Sequence, residues 1–217
     1  MVDLSVSKIV KLPSGVDIWK IPLDIPETEV RDRRLLLSPQ ECERADRYRF
    51  DRHRHYFITA RATLRQILSR YVDLAPEKIC FEVGDRGKPF LPHSCVRFNV
   101  SHSGNVAVVA IAIDREVGID IEQVRSVEVE QLARRFFSHN EYAAICDLEA
   151  SDRLAAFFAY WTCKEAYLKG TGEGLRGLSD IEICLTRKEP KIVRGDKNWQ
   201  LQQLDIEEGY AAAVAIL

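Results

Sequence analysis

The feature that most constrains this chain is an internal echo, in which two stretches about 101 residues apart carry the same order of elements. Val16-Asp17-Ile18-Trp19-Lys20-Ile21 is matched by Val117-Gly118-Ile119-Asp120-Ile121-Glu122, and Ser38-Pro39-Gln40-Glu41 by Ser138-His139-Asn140-Glu141. Tyr56-Phe57-Ile58 faces Phe157-Phe158-Ala159, the strand at 79–83 faces 181–185, and the apolar run 106–113 faces 210–217. Within the first copy, a strand at 17–23 stops at proline, and a helix opens at Ser38 with a capping box and Pro39 at its first position. A long helix is predicted over about 55–71, then a strand at 78–83, a glycine and proline turn at 84–89, and strands at 96–100 and 106–113. The reading is an α/β (α+β) chain made of two similar units, 1–115 and 116–217, packed as a pseudo-twofold pair with their boundary near 114–117. Neither unit is large enough to hide both faces of its own sheet. The two should therefore pack together, and the cleft between them is the natural place for a ligand.

With 217 residues and 46% hydrophobic content, the chain can bury one large core or two smaller ones. Its first fifteen residues lack the pattern of a secretory signal, and its apolar runs are strand-sized, so neither export nor a membrane segment is expected. Six cysteines are scattered without a C-x-x-C pair, as free thiols in the cytoplasm would be, and no zinc site is indicated. A net charge of −2 argues against a general nucleic-acid binder. Arginines nevertheless crowd one segment, Arg44, Arg47, Arg49, Arg52, Arg54, Arg61, Arg65 and Arg70, opposed there only by Asp46 and Asp51. That segment is either a local anion site or a solvated helix face.

Three acids carry the chemistry. Leu154, Phe158, Trp161 and Leu168 recur at steps of three and four around Glu165, which turns this carboxylate toward the inside of a helix. A buried carboxylate needs a cation or strong donors, and the helical partner Lys169 at i+4 supplies only about 0.3–0.5 kcal/mol in water. Asp120 and Glu122 mark where the second copy departs from the first, because Trp19 and Ile21 hold those places in the first copy. Period-two geometry puts both acids on one strand face, with Ile119 and Ile121 on the other. An all-carboxylate set of Asp120, Glu122 and Glu165 suits a hard cation such as magnesium, with positions left for water and a phosphate-bearing substrate. The bland alternative is a D-x-E on a solvated strand edge.

Phe98-Asn99-Val100-Ser101-His102-Ser103, the G-I-D segment at Gly118–Asp120 and Trp161-Thr162-Cys163-Lys164-Glu165-Ala166-Tyr167-Leu168-Lys169 together resemble the Sfp-type 4′-phosphopantetheinyl transferases, over nearly the whole chain. The resemblance implies a tandem of two α/β halves with coenzyme A between them. It also implies transfer of the phosphopantetheine arm to a serine of an acyl or peptidyl carrier protein, with release of adenosine 3′,5′-bisphosphate. Carried over by residue, Asp120, Glu122 and Glu165 would hold magnesium, and Lys164 and Lys169 would contact phosphates. Lys88 and His102 would meet the phosphate or ribose region, Ser101 would donate a hydroxyl hydrogen bond, and Arg44 and Arg52 would sit at the 3′-phosphate. Glu141 matches a position proposed as general base, yet it is also the third residue of a capping box. Glu165 or a water on the metal could take the serine proton instead. The implied partner is an acidic helical carrier protein, with no nucleic acid and no membrane, and the chain is expected to be a monomer.

Lys88 in its G-K-P turn and Lys164 on its helix also have plain structural readings, and Cys163 reads as a packed thiol. A Ser101–His102 dyad is set aside, because G-x-S-x-G is absent and neighbours on a strand point to opposite faces. Two other classes remain as alternatives. One is a metal-dependent nuclease; the other is a non-enzymatic nucleic-acid module using the arginines of 44–70, whose affinity would fall steeply with salt.

Overall fold

The computed structural model of the chain describes residues 7–12, 14–84, 87–174, 177–185 and 189–217, so Asp85 and Arg86 of the expected 84–89 turn lie outside the described residues. The first unit runs β1 (Ser7–Lys11), β2 (Asp17–Pro22), α1 (Glu27–Arg34), α2 (Pro39–Asp46), α3 (Asp51–Leu68), a 3-10 turn at Pro76–Lys78, β3 (Glu82–Val83), β4 (Pro89–Phe90), β5 (Val96–Ser103) and β6 (Val106–Ile113). The second runs β7 (Val117–Gln123), α4 (Val129–Phe136), α5 (His139–Cys146), α6 (Ala150–Thr171), β8 (Glu182–Leu185), β9 (Pro190–Arg194), β10 (Gln200–Leu204) and β11 (Tyr210–Ile216). A four-stranded antiparallel sheet has the order β1-β2-β6-β5, and a three-stranded one β10-β11-β7.

The duplication extends to strand register. Trp19 faces Val109 and Ile21 faces Ala107 across β2 and β6; in the second unit Asp120 faces Ala213 and Glu122 faces Ala211 across β7 and β11. The substituted acids thus occupy the same ladder positions as the apolar pair of the first unit.

Alternation along the strands sorts the side chains into layers. Ile18, Val108 and Ala110 meet Ile119, Ile121 and Val214 in a core shared by the two sheets. On the far side of the first sheet, Trp19, Ile21 and Val109 pack under Leu64, Ile67 and Leu68 of α3. On the far side of the second, Ala213 and Ala215 pack under Cys163, Ala166 and Leu168 of α6. Each helix covers one sheet, and the sheets cover each other, as two units with too little core of their own require.

The free edges of the equivalent strands β2 and β7 are treated differently. β1 pairs along β2. β7 instead runs beside β5, in the same direction, joined by side chains. Asn99 Oδ1 accepts the Ile119 amide at 3.0 Å, and Ser103 Oγ donates to Glu122 Oε2 at 2.8 Å.

Several elements differ from the sequence reading. The strand expected at 78–83 shrinks to Glu82–Val83, because the preceding backbone serves a side chain: Arg65 Nη1 donates to the carbonyls of Pro76 and Ile79 at 2.9 and 2.8 Å. α3 begins at Asp51, four residues before the expected start, with an acid in its first turn. β1, α1, β4, α4, β9 and β10 were not anticipated.

Candidate active site

The site forms where the side-chain-bridged seam of β5 and β7 passes under α6. Gly118 makes the close approach possible: a Cβ there would strike the Ala166 carbonyl and the Gly170 backbone of α6. Glycine opposite the last turns of α6 therefore brings Glu165 and Lys169 down onto the face of β7 that carries Asp120 and Glu122.

Asp120 is 2% exposed. Its Oδ1 accepts from Ser101 Oγ at 2.8 Å and from Lys169 Nζ at 2.5 Å, and the same ammonium donates to Ser101 Oγ at 2.8 Å. Its Oδ2 is buried and has no hydrogen-bond partner among the described residues. Burial holds the Asp120 carboxyl above its ordinary range, against the pull of Lys169 and Ser101. Glu165, at 8% exposure, is pushed up to about 7, first by burial and then by the Asp120 and Glu122 charges, with Lys169 opposing. Mutually repelling oxygens with one orphaned lone-pair set fit a hard divalent cation. Among the described residues the acids are not closed into a ready-made metal cluster, and Lys169 stands on Asp120 as the resident counter-charge.

Beside this seam lies a cleft of about 640 Å³, lined by Arg44, Arg52 and Arg61, by Tyr48 and Tyr56, and by His102 of β5 and Gln123 of β7. His102 and Gln123 are the chain neighbours of Ser101, Ser103 and Glu122, so the cationic cleft and the acidic seam adjoin. Arg44 rests over the Phe57 ring at 5.0 Å, and Arg52 lies over Tyr56 at 5.2 Å with its Nε donating to the phenol oxygen at 2.9 Å. Partial burial and the Lys169 charge hold the His102 imidazole below its usual range.

Two family models match the chain: one described as 4′-phosphopantetheinyl transferase, N-terminal, over residues 27–114, and one described as the 4′-phosphopantetheinyl transferase superfamily, over residues 116–215. The 4′-phosphopantetheinyl transferase HetI of Nostoc sp. (strain PCC 7120) is 41% identical over 210 residues, which cover 94% of this chain and 89% of the relative. The chain belongs to the 4′-phosphopantetheinyl transferases. Another member, Sfp of Bacillus subtilis (strain 168), is 30% identical over 161 residues, 73% of this chain and 71% of the relative. Among solved structures, a holo-(acyl-carrier-protein) synthase from Bacillus anthracis in complex with CoA (3′,5′-ADP) aligns over 47% of this chain and 94% of that one, at 22% identity and a TM-score of 0.41.

Of the residues that the resemblance to 4′-phosphopantetheinyl transferases singled out, Asp120, Glu122, Glu165, Lys169 and Ser101 gather at the seam, and Arg44, Arg52 and His102 line the cleft. Three stand elsewhere. Lys164, expected at phosphates, is fully buried on another face of α6, with Nζ 2.6 Å from Glu141 Oε2. Glu141, a candidate base, is held by that ammonium and by the amides of Ser138 and Ile183 at 2.7 and 2.8 Å, and it does not line the cleft. Lys88 is engaged by Glu116 at 3.2 Å and by the Gly170 carbonyl at 3.1 Å.

Arginines 54, 61 and 65 do not share one solvated face: Arg54 pairs with Asp51, Arg65 is buried on Glu41, and Arg61 opens into the cleft. Asn99 and Ser103 were missed as seam residues. The signal was present, since Asn99, Ser101 and Ser103 alternate on one side of β5.

Proposed function

We infer that this chain transfers the 4′-phosphopantetheine group of coenzyme A to a serine hydroxyl of an acyl or peptidyl carrier protein. A phosphorus–oxygen bond to the serine forms, the pyrophosphate bond breaks, and adenosine 3′,5′-bisphosphate leaves. The observation that carries this reading is the adjacency of a cationic, aromatic-lined cleft to a seam of three carboxylates, because coenzyme A needs anion recognition at one end and charge management at its pyrophosphate. In this reading Arg44, Arg52 and Arg61 bind phosphate of the adenosine half, and His102 flanks the ribose and pyrophosphate.

Asp120, Glu122 and Glu165 would hold magnesium, whose charge, when bound, offsets that developing on the pyrophosphate oxygens. Lys169, which pairs with Asp120, would donate to a phosphate oxygen of the same group. Ser101 keeps the Asp120 carboxylate oriented through its 2.8 Å hydrogen bond. With Glu141 sealed in an ion pair, Glu165 is the remaining side-chain candidate to accept the serine proton. The chain would act as a monomer, since its two units already bury each other's inner faces. All six cysteines are free, and a reducing cytoplasm is the compartment this reading assigns. No helix among the described residues is long and apolar enough to cross a membrane.

Calorimetric titration separates this reading from a nucleic-acid module. Coenzyme A should bind saturably, and more tightly than 3′-dephospho-coenzyme A by about ten-fold or more, the worth of a desolvated arginine–phosphate contact. That gap should close in Arg44→Ala and Arg52→Ala. Equal affinity for the two compounds would remove the assignment of these arginines. An absence of coenzyme A binding, with salt-dependent DNA binding in its place, would overturn the transferase reading.

A further inference from the structure

One carboxylate ties together three elements of the second unit. Glu141 Oε2 accepts from the Ser138 amide at the start of α5 and from Lys164 Nζ of α6, while its Oε1 accepts from the Ile183 amide of β8. Lys164 is 0% and Glu141 1% exposed, and the ammonium lies 4.9 Å from the centre of the Phe137 ring. Lys164 directly precedes Glu165, and successive helical residues project about 100° apart. Fixing the rotation of α6 at Lys164, on its outer side, therefore fixes the direction of Glu165 on its sheet side.

The first unit carries the same device with no acids beside it, its Glu41 also pairing with Arg61 of the cleft at 3.5 Å. Glu41 accepts from the Ser38 amide at 2.9 Å and from Arg65 of α3 at 2.8 Å, and the Arg65 guanidinium continues to the carbonyls of Pro76 and Ile79. Counted from the paired cation, Gln66 takes the place of Glu165 and Arg70 the place of Lys169. Trp19 stands where Asp120 does, and Arg70 rests over its ring at 5.0 Å. The clamp thus belongs to the repeated architecture, and the second unit alone has placed acids beside it.

We propose that the buried Lys164–Glu141 pair is a positioning device for the transfer reaction, setting the rotation of α6 so that Glu165 meets Asp120 and Glu122, and that Glu141 moves no proton. This rests on the function proposed above. Magnesium binding in the presence of coenzyme A, measured by calorimetry, is read beside turnover on an apo carrier protein and thermal melting. Lys164→Met should weaken magnesium binding about 10–100-fold, as loss of a group supporting a ligand does. Lys164→Arg, which installs the cation of the first unit, should keep affinity within the wild-type order of magnitude. Arg65→Met is the control: it breaks the other clamp, so at saturating coenzyme A, which offsets any effect through the Glu41–Arg61 pair, it should lower the melting temperature but leave magnesium affinity unchanged. Glu141→Gln should lose turnover together with magnesium affinity.

Equal magnesium affinities for Lys164→Met and Arg65→Met would overturn the proposal. So would a Glu141→Gln protein that binds magnesium as wild type and no longer turns over, the behaviour of a proton acceptor. Should Lys164→Met not fold, Glu141→Gln and Lys164→Arg carry the same comparison. A wild-type protein that binds magnesium and coenzyme A but modifies no carrier would refute the transfer reading and leave the clamp to be judged on affinity. A wild-type protein that binds no magnesium would overturn the clamp's role along with the metal site.

Discussion

The inward direction of Glu165 was legible from helical spacing alone. Lys164, its neighbour, was not: periodicity says that it lies on another face, but only the packing of α5 and β8 makes that face a buried one. Asp120 and Glu122 were legible because the repeat supplied apolar residues for comparison. The raised affinity of Glu165 for its proton has a consequence for stability. Between its ordinary value of 4.5 and about 7, the folded chain keeps a proton that the unfolded chain has released. Its contribution is therefore fully present below pH 4.5 and lost as pH rises through 7. Urea unfolding of metal-free protein should show this decline, and Glu165→Gln should flatten it, leaving the variant more stable at pH 8 by on the order of 3 kcal/mol. A Glu165→Gln protein with the wild-type pH dependence would place the titrating group elsewhere.

Among the elements, those marked by local chemistry were readable and those made by tertiary demand were not. Both capping boxes form as the sequence implied, Ser38 with Glu41 and Ser138 with Glu141. The 78–83 strand failed because Arg65 claims the carbonyls of Pro76, just before it, and Ile79, within it, contacts between positions too far apart for a local pattern to show. α1 does carry a local signal: Pro26 before it, Glu27 and Glu29 in its first turn, and arginines in its last. The contact of β7 with α6 yields a prediction at this scale. Gly118→Ala sets a methyl group against α6 backbone, which cannot rotate away as a side chain could. It should destabilise the fold by about 1–3 kcal/mol in chemical denaturation and, by lifting α6, reduce magnesium affinity as well. Wild-type stability and affinity in Gly118→Ala would show that the approach of helix to strand is looser than described.

At the scale of the whole molecule, duplication explains why there are two units and one site. The inner faces of both sheets bury each other, which the small size of each unit required and the sequence therefore made legible. The second unit's free strand edge became the seam, where β5 supplies Asn99, Ser101 and Ser103 to β7, whereas β1 occupies the matching edge of the first unit. That asymmetry was beyond the repeat pattern, because β1 has no counterpart in it. Whether the seam performs phosphopantetheine transfer is read from the intact mass of an apo acyl carrier protein. After incubation with the chain, magnesium and coenzyme A, the carrier should gain the mass of one phosphopantetheine group, and Asp120→Ala and Glu165→Ala should abolish the gain. An unchanged mass across several carriers, or a gain that survives loss of both acids, would contradict the account.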